Sequence, residues 1–167
     1  MKRINALVIL AITVLFASPT HAQQQQAAAP ADDPTVIGTL IEVEGSATMT
    51  RPGQSAIVAA SEMPVHMNDV IDTAAGAKAD ILFIDNTEVT LGEKAELKVD
   101  EYVYDPENMN SNKGRFSIPQ GPFQFVTGQI DKVSNPDVKI STAYGAIGVR
   151  GTTIVGGNVD DSYGIFV

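Results

Sequence analysis

The sequence predicts an all-β protein, a small β-sandwich or β-roll with an approximate internal duplication. Apolar and polar residues alternate with a period of two from Ile37 to Val99, which is the pattern of half-buried strands. The 14 glycines and 9 prolines recur at short intervals and mark turns between short strands. Outside an N-terminal apolar run, no window keeps apolar residues at helical spacing for three turns, so the pattern favours strands throughout.

Residues 1–22 have the features of a signal peptide. Lys2 and Arg3 precede the apolar run Ile4 to Ala17, and Thr20-His21-Ala22 offers small residues to a signal peptidase, so cleavage is expected after Ala22. The alternative is an uncleaved membrane anchor, but this run spans only about 21 Å as a helix, short of the roughly 30 Å hydrocarbon core. We therefore expect export to the periplasm or secretion from a Gram-negative cell.

Two further regions follow. Residues 23–35 are rich in Gln, Ala and Pro and are expected to be a disordered tether. Residues 36–167 are expected to be the β domain. Its last segment, Tyr163 to Val167, has the composition of a strand, and three interpretations are open: the strand closes a sheet, the chain is a truncated product, or the strand pairs with a partner.

The expected strands follow in order along the domain. Val36 to Thr50 predicts a hairpin with its turn at Gly45-Ser46. Ala79 to Ile84 is apolar on both faces, which predicts a strand buried on both sides, ended by a turn at Asp85-Asn86. The alternating stretches after that turn are expected to face the core with Val89, Leu91, Leu97 and Val99.

One short sequence recurs. Residues 71–77 (IDTAAGA) and 140–146 (ISTAYGA) agree at five of seven positions. This repetition predicts two equivalent corners in a doubled structure.

Composition excludes several classes of function. Lys and Arg total 11 against 20 Asp and Glu, a net charge of −9, which disfavours binding to nucleic acid or to anionic lipid. The absence of cysteine excludes disulfides, thiolate metal sites, iron–sulfur clusters and a cysteine nucleophile. No nucleic-acid partner and no stable membrane insertion after cleavage are expected.

Several motifs together resemble the FecR-type domain, the extracytoplasmic β module of ferric-citrate transport regulators. In sequence order they are Val43-Glu44-Gly45, Asn68 to Thr73 (NDVIDT), Leu82 to Gly92 (LFIDNTEVTLG), Gly114-Arg115-Phe116 with Gly128, and Ile140 to Thr152 (ISTAYGAIGVRGT). The ending Gly148-Val149-Arg150-Gly151-Thr152 is the most specific of these. The resemblance covers about residues 36–167.

This sequence departs from the family pattern in two ways. Asn68 and Asn86 stand where glycine is usual, which asparagine tolerates because it also adopts positive φ, and Ala143 stands where proline is common. The regulators also carry a cytoplasmic anti-sigma segment and a membrane span, where this chain has the predicted signal peptide and tether. The resemblance implies an exported, non-enzymatic β module that contacts a ligand or another protein.

Enzymatic machinery is not expected. His66 is the only histidine left after cleavage, and no Gly-x-Ser-x-Gly motif exists for a nucleophilic serine. A carbohydrate hydrolase stays a remote alternative, because paired carboxylates leave no sequence trace. The acidic residues between Asp100 and Glu107 are interpreted as a solvated rim rather than a calcium loop, so no metal or cofactor is expected.

Arg150 is the residue whose role most needs an explanation. A buried arginine between glycines would pair with a carboxylate, and Asp69, Asp72 and Asp85 are the candidates. The alternative is an exposed arginine that contacts an anion or a partner. The candidate corner or binding residues are Arg150, Gly148, Gly151, Thr152, Asp69 and Asp85.

Two functions of different class follow. The first is an envelope binding or scaffold module that engages a protein or surface polymer through its β edges. The second is a ligand-sensing domain in extracytoplasmic signalling, for iron or another envelope signal.

Overall fold

The computed structural model describes residues 35–151, 153–159 and 162–167. The predicted signal peptide (1–22) and all of the predicted tether except Thr35 lie outside the described residues. Within these ranges no helix is long and apolar enough to cross a membrane.

The described residues form strands and one short 3-10 turn, Met109–Ser111. The strands in chain order are β1 Val36–Glu44, β2 Ala47–Thr50, β3 Ile57–Val58, β4 Pro64–His66, β5 Val70–Thr73, β6 Lys78–Phe83, β7 Glu88–Leu91, β8 Glu96–Val103, β9 Lys113–Ser117, β10 Phe123–Val126, β11 Asp137–Thr142, β12 Gly145–Val149, β13 Thr153–Val159 and β14 Ser162–Phe166.

The strands form two seven-stranded sheets that pack as a sandwich. Sheet A has the order β14-β13-β10-β7-β6-β1-β4, and sheet B has the order β12-β11-β9-β8-β5-β2-β3. The chain passes repeatedly between the sheets, and every described strand pairing is antiparallel except that of β9 with β11. The predicted all-β sandwich is therefore confirmed.

The core lies between the sheets. Phe83 and Phe125 of sheet A meet Tyr102 and Phe116 of sheet B, with ring centroids 5.3 Å apart for Phe83 and Tyr102 and 4.9 Å apart for Phe116 and Phe125. The four residues that the alternation predicted to face inward, Val89, Leu91, Leu97 and Val99, are all buried. Period-two alternation therefore identifies the core faces of β7 and β8.

The first predicted hairpin is wrong, although both its strands exist. β1 lies in sheet A and β2 in sheet B, so the turn at Gly45, with φ +77°, carries the chain from one sheet to the other. The pairing of β1 with β6 also shifts register between Leu40 and Glu42, which leaves Ile41 exposed and buries Leu40. A β-bulge interrupts the alternation in this way because it adds one unpaired residue.

The expectation that Ala79–Ile84 is buried on both faces is also wrong. Ala79, Ile81 and Phe83 are buried, but Leu82 on the outer face is only half-buried and Ile84 is exposed. The strand therefore has one core face, as antiparallel strands commonly do.

The repeated sequence does not mark two equivalent corners. Residues 71–77 leave β5 in sheet B and enter β6 in sheet A, whereas residues 140–146 join β11 and β12, which pair within sheet B. Both copies end a strand and turn, but only the first crosses the sandwich.

The two asparagines that replace glycine fit their turns. Asn68 has φ 67° and Asn86 has φ 66°, the left-handed region that asparagine enters more readily than other residues with a side chain. This confirms the explanation offered for the two asparagines.

Candidate functional site

Asp85 is a wholly buried carboxylate in the turn after β6. Its Oδ1 accepts hydrogen bonds from the Tyr102 hydroxyl at 2.6 Å and the Thr87 amide at 3.1 Å. Its Oδ2 accepts from the Thr87 hydroxyl at 2.7 Å and the Ile130 amide at 2.9 Å. These four donors satisfy the carboxylate without a cation and join β8 and the loop after β10 to this turn.

The surroundings of Asp85 are close-packed. Burial, and then the hydrogen bond to Asp85, raise the pKa of the Tyr102 hydroxyl, so this group stays protonated. The Gly128 amide donates to the Thr87 hydroxyl at 3.0 Å, and a Cβ at Gly128 would lie 2.2 Å from the Asp85 carbonyl oxygen. Only glycine fits at position 128, because the backbone of Asp85 lies so close. The role of Asp85 is structural: it holds its own turn, β8 and the loop after β10 together.

Asp69, also wholly buried, has a different arginine from the one expected. Its Oδ2 accepts a hydrogen bond from the His66 amide at 2.9 Å and lies 3.4 Å from Nε of Arg51. Arg51 also donates to the Pro64 carbonyl at 2.9 Å. Asp69 therefore holds the turn between β4 and β5 against the end of β2.

The Gly148-Val149-Arg150-Gly151 segment crosses from β12 in sheet B toward β13 in sheet A. Val149 is buried, and Gly151 has φ +61°, which favours glycine. The Gly151 amide donates a hydrogen bond to the buried carboxylate of Asp131. Thr152, the last residue of the motif, lies outside the described residues.

The structure does not pair Arg150 with a buried carboxylate. Arg150 is exposed, and among the described residues no hydrogen bond or ion pair reaches its guanidinium. Asp69 pairs with Arg51, and Asp85 is satisfied by neutral donors. The expected pairing with Asp69, Asp72 or Asp85 is therefore wrong, and the guanidinium has no partner within the described part of the chain.

The glycines beside Arg150 also differ from expectation. A Cβ built at Gly148 or Gly151 would meet no atom within 4 Å. The close approach of neighbouring backbone that the sequence suggested is therefore not present at either glycine. Gly151 is required by its backbone conformation, and Gly148 lies exposed on β12.

One end of the sandwich, here called the open end, is formed by the edge strands β12 (Gly145–Val149) and β14 (Ser162–Phe166). Each is five residues long and contains no charged residue and no proline. Such edges present unpaired backbone groups, and native proteins usually protect them with charges, proline or short length. None of these three protections is present on β12 or β14.

Aromatic and apolar side chains surround the open end. Tyr144, in the turn before β12, stacks on Tyr163 of β14 with ring centroids 4.7 Å apart, and 74% of Tyr144 is exposed. Val155 and Phe166 are register partners and are 43% and 54% exposed. Burial raises the pKa of the Tyr163 hydroxyl, and the nearby Tyr144 adds to the effect.

The opposite end is closed. Its edge strands are β3, of two residues, and β4, which begins with Pro64. Residues 59–63 run between these edges and bond to both sheets: the Ala59 amide donates to the Ala47 carbonyl, and the Leu40 amide donates to the Met63 carbonyl. Short strands, a proline and a crossing segment protect this end from pairing.

Charged groups elsewhere do not assemble a metal site in the part of the chain that the structure describes. Asp72 and Glu96 are register partners on the outer face of sheet B. Burial raises the pKa of both, and the charge of Asp72 raises that of Glu96 further. Arg115 donates to the Asp137 carboxylate at 2.6 Å and lowers its pKa.

Sequence reasoning missed Arg51, Tyr102 and Asp131. Arg51 follows a predicted strand and precedes the turn Pro52-Gly53, but nothing in that position indicates Asp69 as its partner. Asp131 and Tyr102 carry no local signal, because the loop and strand that hold them meet their partners only in the folded sandwich.

Separate searches of curated proteins and of solved structures returned no match. A family model described as "FecR protein" matches residues 69–165. That range includes Asp69, Asp85, Asp131 and the Arg150 corner, together with all of β12 and all of β14 except Phe166. Because the match covers more than half of the chain, the protein belongs to the FecR protein family.

Proposed function

We propose that this protein is an exported, non-enzymatic module that binds a cell-envelope protein by strand pairing at its open end. The observation that supports this proposal is the pair of unprotected edges, β12 and β14, one in each sheet at the same end of the sandwich. Exposed backbone N–H and C=O groups recognise another polypeptide backbone, so a protein fits this surface better than a polysaccharide.

Arg150 adds a second contact at this end. Its guanidinium follows β12 directly and is free of described partners, so it can contact a carboxylate or an aromatic ring of the bound protein. The buried carboxylates of Asp85 and Asp69 hold turns within the fold and are not exposed to a partner.

Affinity capture from an envelope extract tests this proposal. Gly148→Lys places a charge on the exposed face of β12 where no atom lies within 4 Å of the new Cβ. Val58→Lys is the matched control, because it adds the same charge to the exposed β3 edge at the closed end. The mature chain and Val58→Lys should recover the same proteins, and Gly148→Lys should recover roughly tenfold less. Equal recovery by all three contradicts the proposal.

The second candidate is a ligand-sensing domain in extracytoplasmic signalling. Membership of the FecR family supports it, as does a shallow cleft of about 490 Å³ lined in part by Arg51, Gln54 and Lys98. Both cations of the cleft already have carboxylate partners, Asp69 and Asp100. A small anion that raises Tm in the wild type but not in Lys98→Ala would favour sensing over strand pairing.

A further inference from the structure

We infer that the protein seated on the open end is a second copy of this chain, joined through β12 and β14 at once. This inference rests on the proposed function of the open end and names its partner. The starting observation is that the two unprotected edges lie together, one per sheet.

The presence of two edges at the same end restricts which partner can pair with both of them. A single extended peptide can pair with β12 or with β14, but it leaves the other edge unpaired. An occupant that pairs with both must present two edges separated by the thickness of a sandwich, about 10 Å. The same end of a second copy presents two such edges, and a two-fold axis perpendicular to both sheets pairs each strand with its own copy in antiparallel fashion.

The charge distribution agrees with self-association at this end only. The chain has a net charge of −9, so most of its surface repels a second copy. β12 and β14 themselves carry no charge, and the exposed charged side chains next to β12 are the cations Arg150, which follows it in the chain, and Lys139, the register partner of Gly148.

The space between the two edges is incompletely covered. Ile147, Tyr163 and Ile165 pack against the core but stay partly exposed, and the buried Tyr163 hydroxyl has no hydrogen-bond partner among the described residues. At the closed end the corresponding space is crossed by residues 59–63, and Val65 and Met49 there are fully buried. A second copy would cover Ile147 and Ile165 as that segment covers the closed end.

A register centred on Ile147 explains two exposed side chains. In that register Arg150 of one copy lies opposite Tyr144 of the other, because both are three residues from the centre. Tyr144 and Arg150 are both exposed, and one ring face of Tyr144 is used by Tyr163. The second face is available for a cation–π contact with the guanidinium.

Sedimentation equilibrium of the full mature chain, over about a hundredfold range of concentration, tests the inference. The expected result is a monomer–dimer equilibrium that ends at twice the monomer mass, because a two-fold contact closes on itself. Gly148→Lys should raise the dissociation constant roughly tenfold or more, while Val58→Lys should leave it unchanged. Circular dichroism checks that both variants are folded.

Three results overturn the inference: a wild type that is monomeric throughout, an open-ended series of larger species, or dissociation by Val58→Lys but not by Gly148→Lys. The wild type could instead be monomeric and still capture a different envelope protein, with that capture lost in Gly148→Lys. This result would contradict the second copy as partner and support the proposed function. Equal capture by wild type and Gly148→Lys removes the proposed function itself.

Arg150→Ala tests the register separately. It should raise the dissociation constant several-fold and leave Tm unchanged at concentrations where the chain is monomeric. Tyr144→Ala should add little when combined with it, because both substitutions remove the same contact. A dimer unaffected by Arg150→Ala contradicts the centred register.

Discussion

The buried carboxylate of Asp131 accepts a hydrogen bond from the backbone amide of Gly151, twenty residues further along the chain. This contact fixes the turn through which the chain leaves β12 for the other sheet. Because the backbone of Gly151 supplies the link, the neighbouring Arg150 side chain is not needed to hold the corner. The segment Gly148-Val149-Arg150-Gly151 is therefore anchored by the backbone of Gly151 and presents Arg150 to solvent.

Arg150 and Arg51 should respond oppositely to truncation. Arg150→Ala should change the free energy of unfolding by less than about 0.5 kcal/mol, because the side chain has no described partner. Arg51→Ala leaves the buried Asp69 carboxylate without its cation and should cost roughly 2 kcal/mol. Urea denaturation of both variants measures the difference. A large loss in Arg150→Ala with none in Arg51→Ala would show that the wrong arginine has been assigned to the core.

The Tyr102 hydroxyl should contribute measurably to stability. Tyr102→Phe removes one of the donors to Asp85 Oδ1 and leaves that buried oxygen with only the Thr87 amide, at a cost of about 1–3 kcal/mol. Tyr104→Phe is the matched control, since Tyr104 is half-buried with no described hydrogen bond and should change little. Thermal melts measure Tm for both variants. Equal Tm values would argue against a stabilising hydrogen bond between Tyr102 and Asp85.

Gly128 and Gly148 should differ in their tolerance of a methyl group. Gly128→Ala places a Cβ against the backbone of Asp85 and Asn86 and should destabilise the domain by about 3 kcal/mol or more. Gly148→Ala meets open space and should be nearly neutral. Chemical denaturation of the pair measures both effects. A stable Gly128→Ala would mean that the loop after β10 does not approach Asp85 as closely as described.

Glu96→Gln should stabilise the fold in a pH-dependent way. The folded-state pKa values of Asp72 and Glu96 are raised, so ionisation of these carboxyls destabilises the fold at higher pH. This destabilisation disappears below a pH of about 4, the pKa of these carboxyls in the unfolded chain, because they are then protonated in both states. Tm of Glu96→Gln should therefore exceed that of wild type at neutral pH, and the gain should shrink on acidification.

Glu88→Gln is the control for this series, because Glu88 is exposed and lies opposite Leu82 and Val126 rather than an acid. Its Tm should follow that of wild type across the pH range. If the gain in Tm of Glu96→Gln over wild type grew as the pH fell, it would contradict this prediction.

The strands were predictable from the sequence, but their sheets were not. Val89 to Val99 alternate because each residue's face depends only on its position along the strand. Whether the turn at Gly45 makes a hairpin or crosses the sandwich depends on β1 pairing with β6, more than thirty residues away. The same limit explains why the two copies of the repeated sequence lead to different connections.

Among the candidate residues, too, some could be identified from the sequence and others could not. Asp69 and Asp85 could be selected from their turns, since a buried turn aspartate accepts backbone hydrogen bonds locally. The partners Arg51, Tyr102 and Ile130 come from other strands and loops, so no local pattern identifies them. The open end is a property of the assembled sheets, because an edge exists only once the strand order is known.

Hydrogen–deuterium exchange of the full mature chain tests the central claim, that β12 and β14 form the contact surface, most directly. The amides of 145–149 and 162–166 that point away from β11 and β13 should exchange roughly tenfold more slowly at high than at low protein concentration, or when a captured partner saturates the chain, because new backbone pairing protects them. Amides of β3 should not change, and Gly148→Lys should abolish the protection. Unchanged exchange in β12 and β14 under binding conditions, or protection confined to the closed end, would contradict the account.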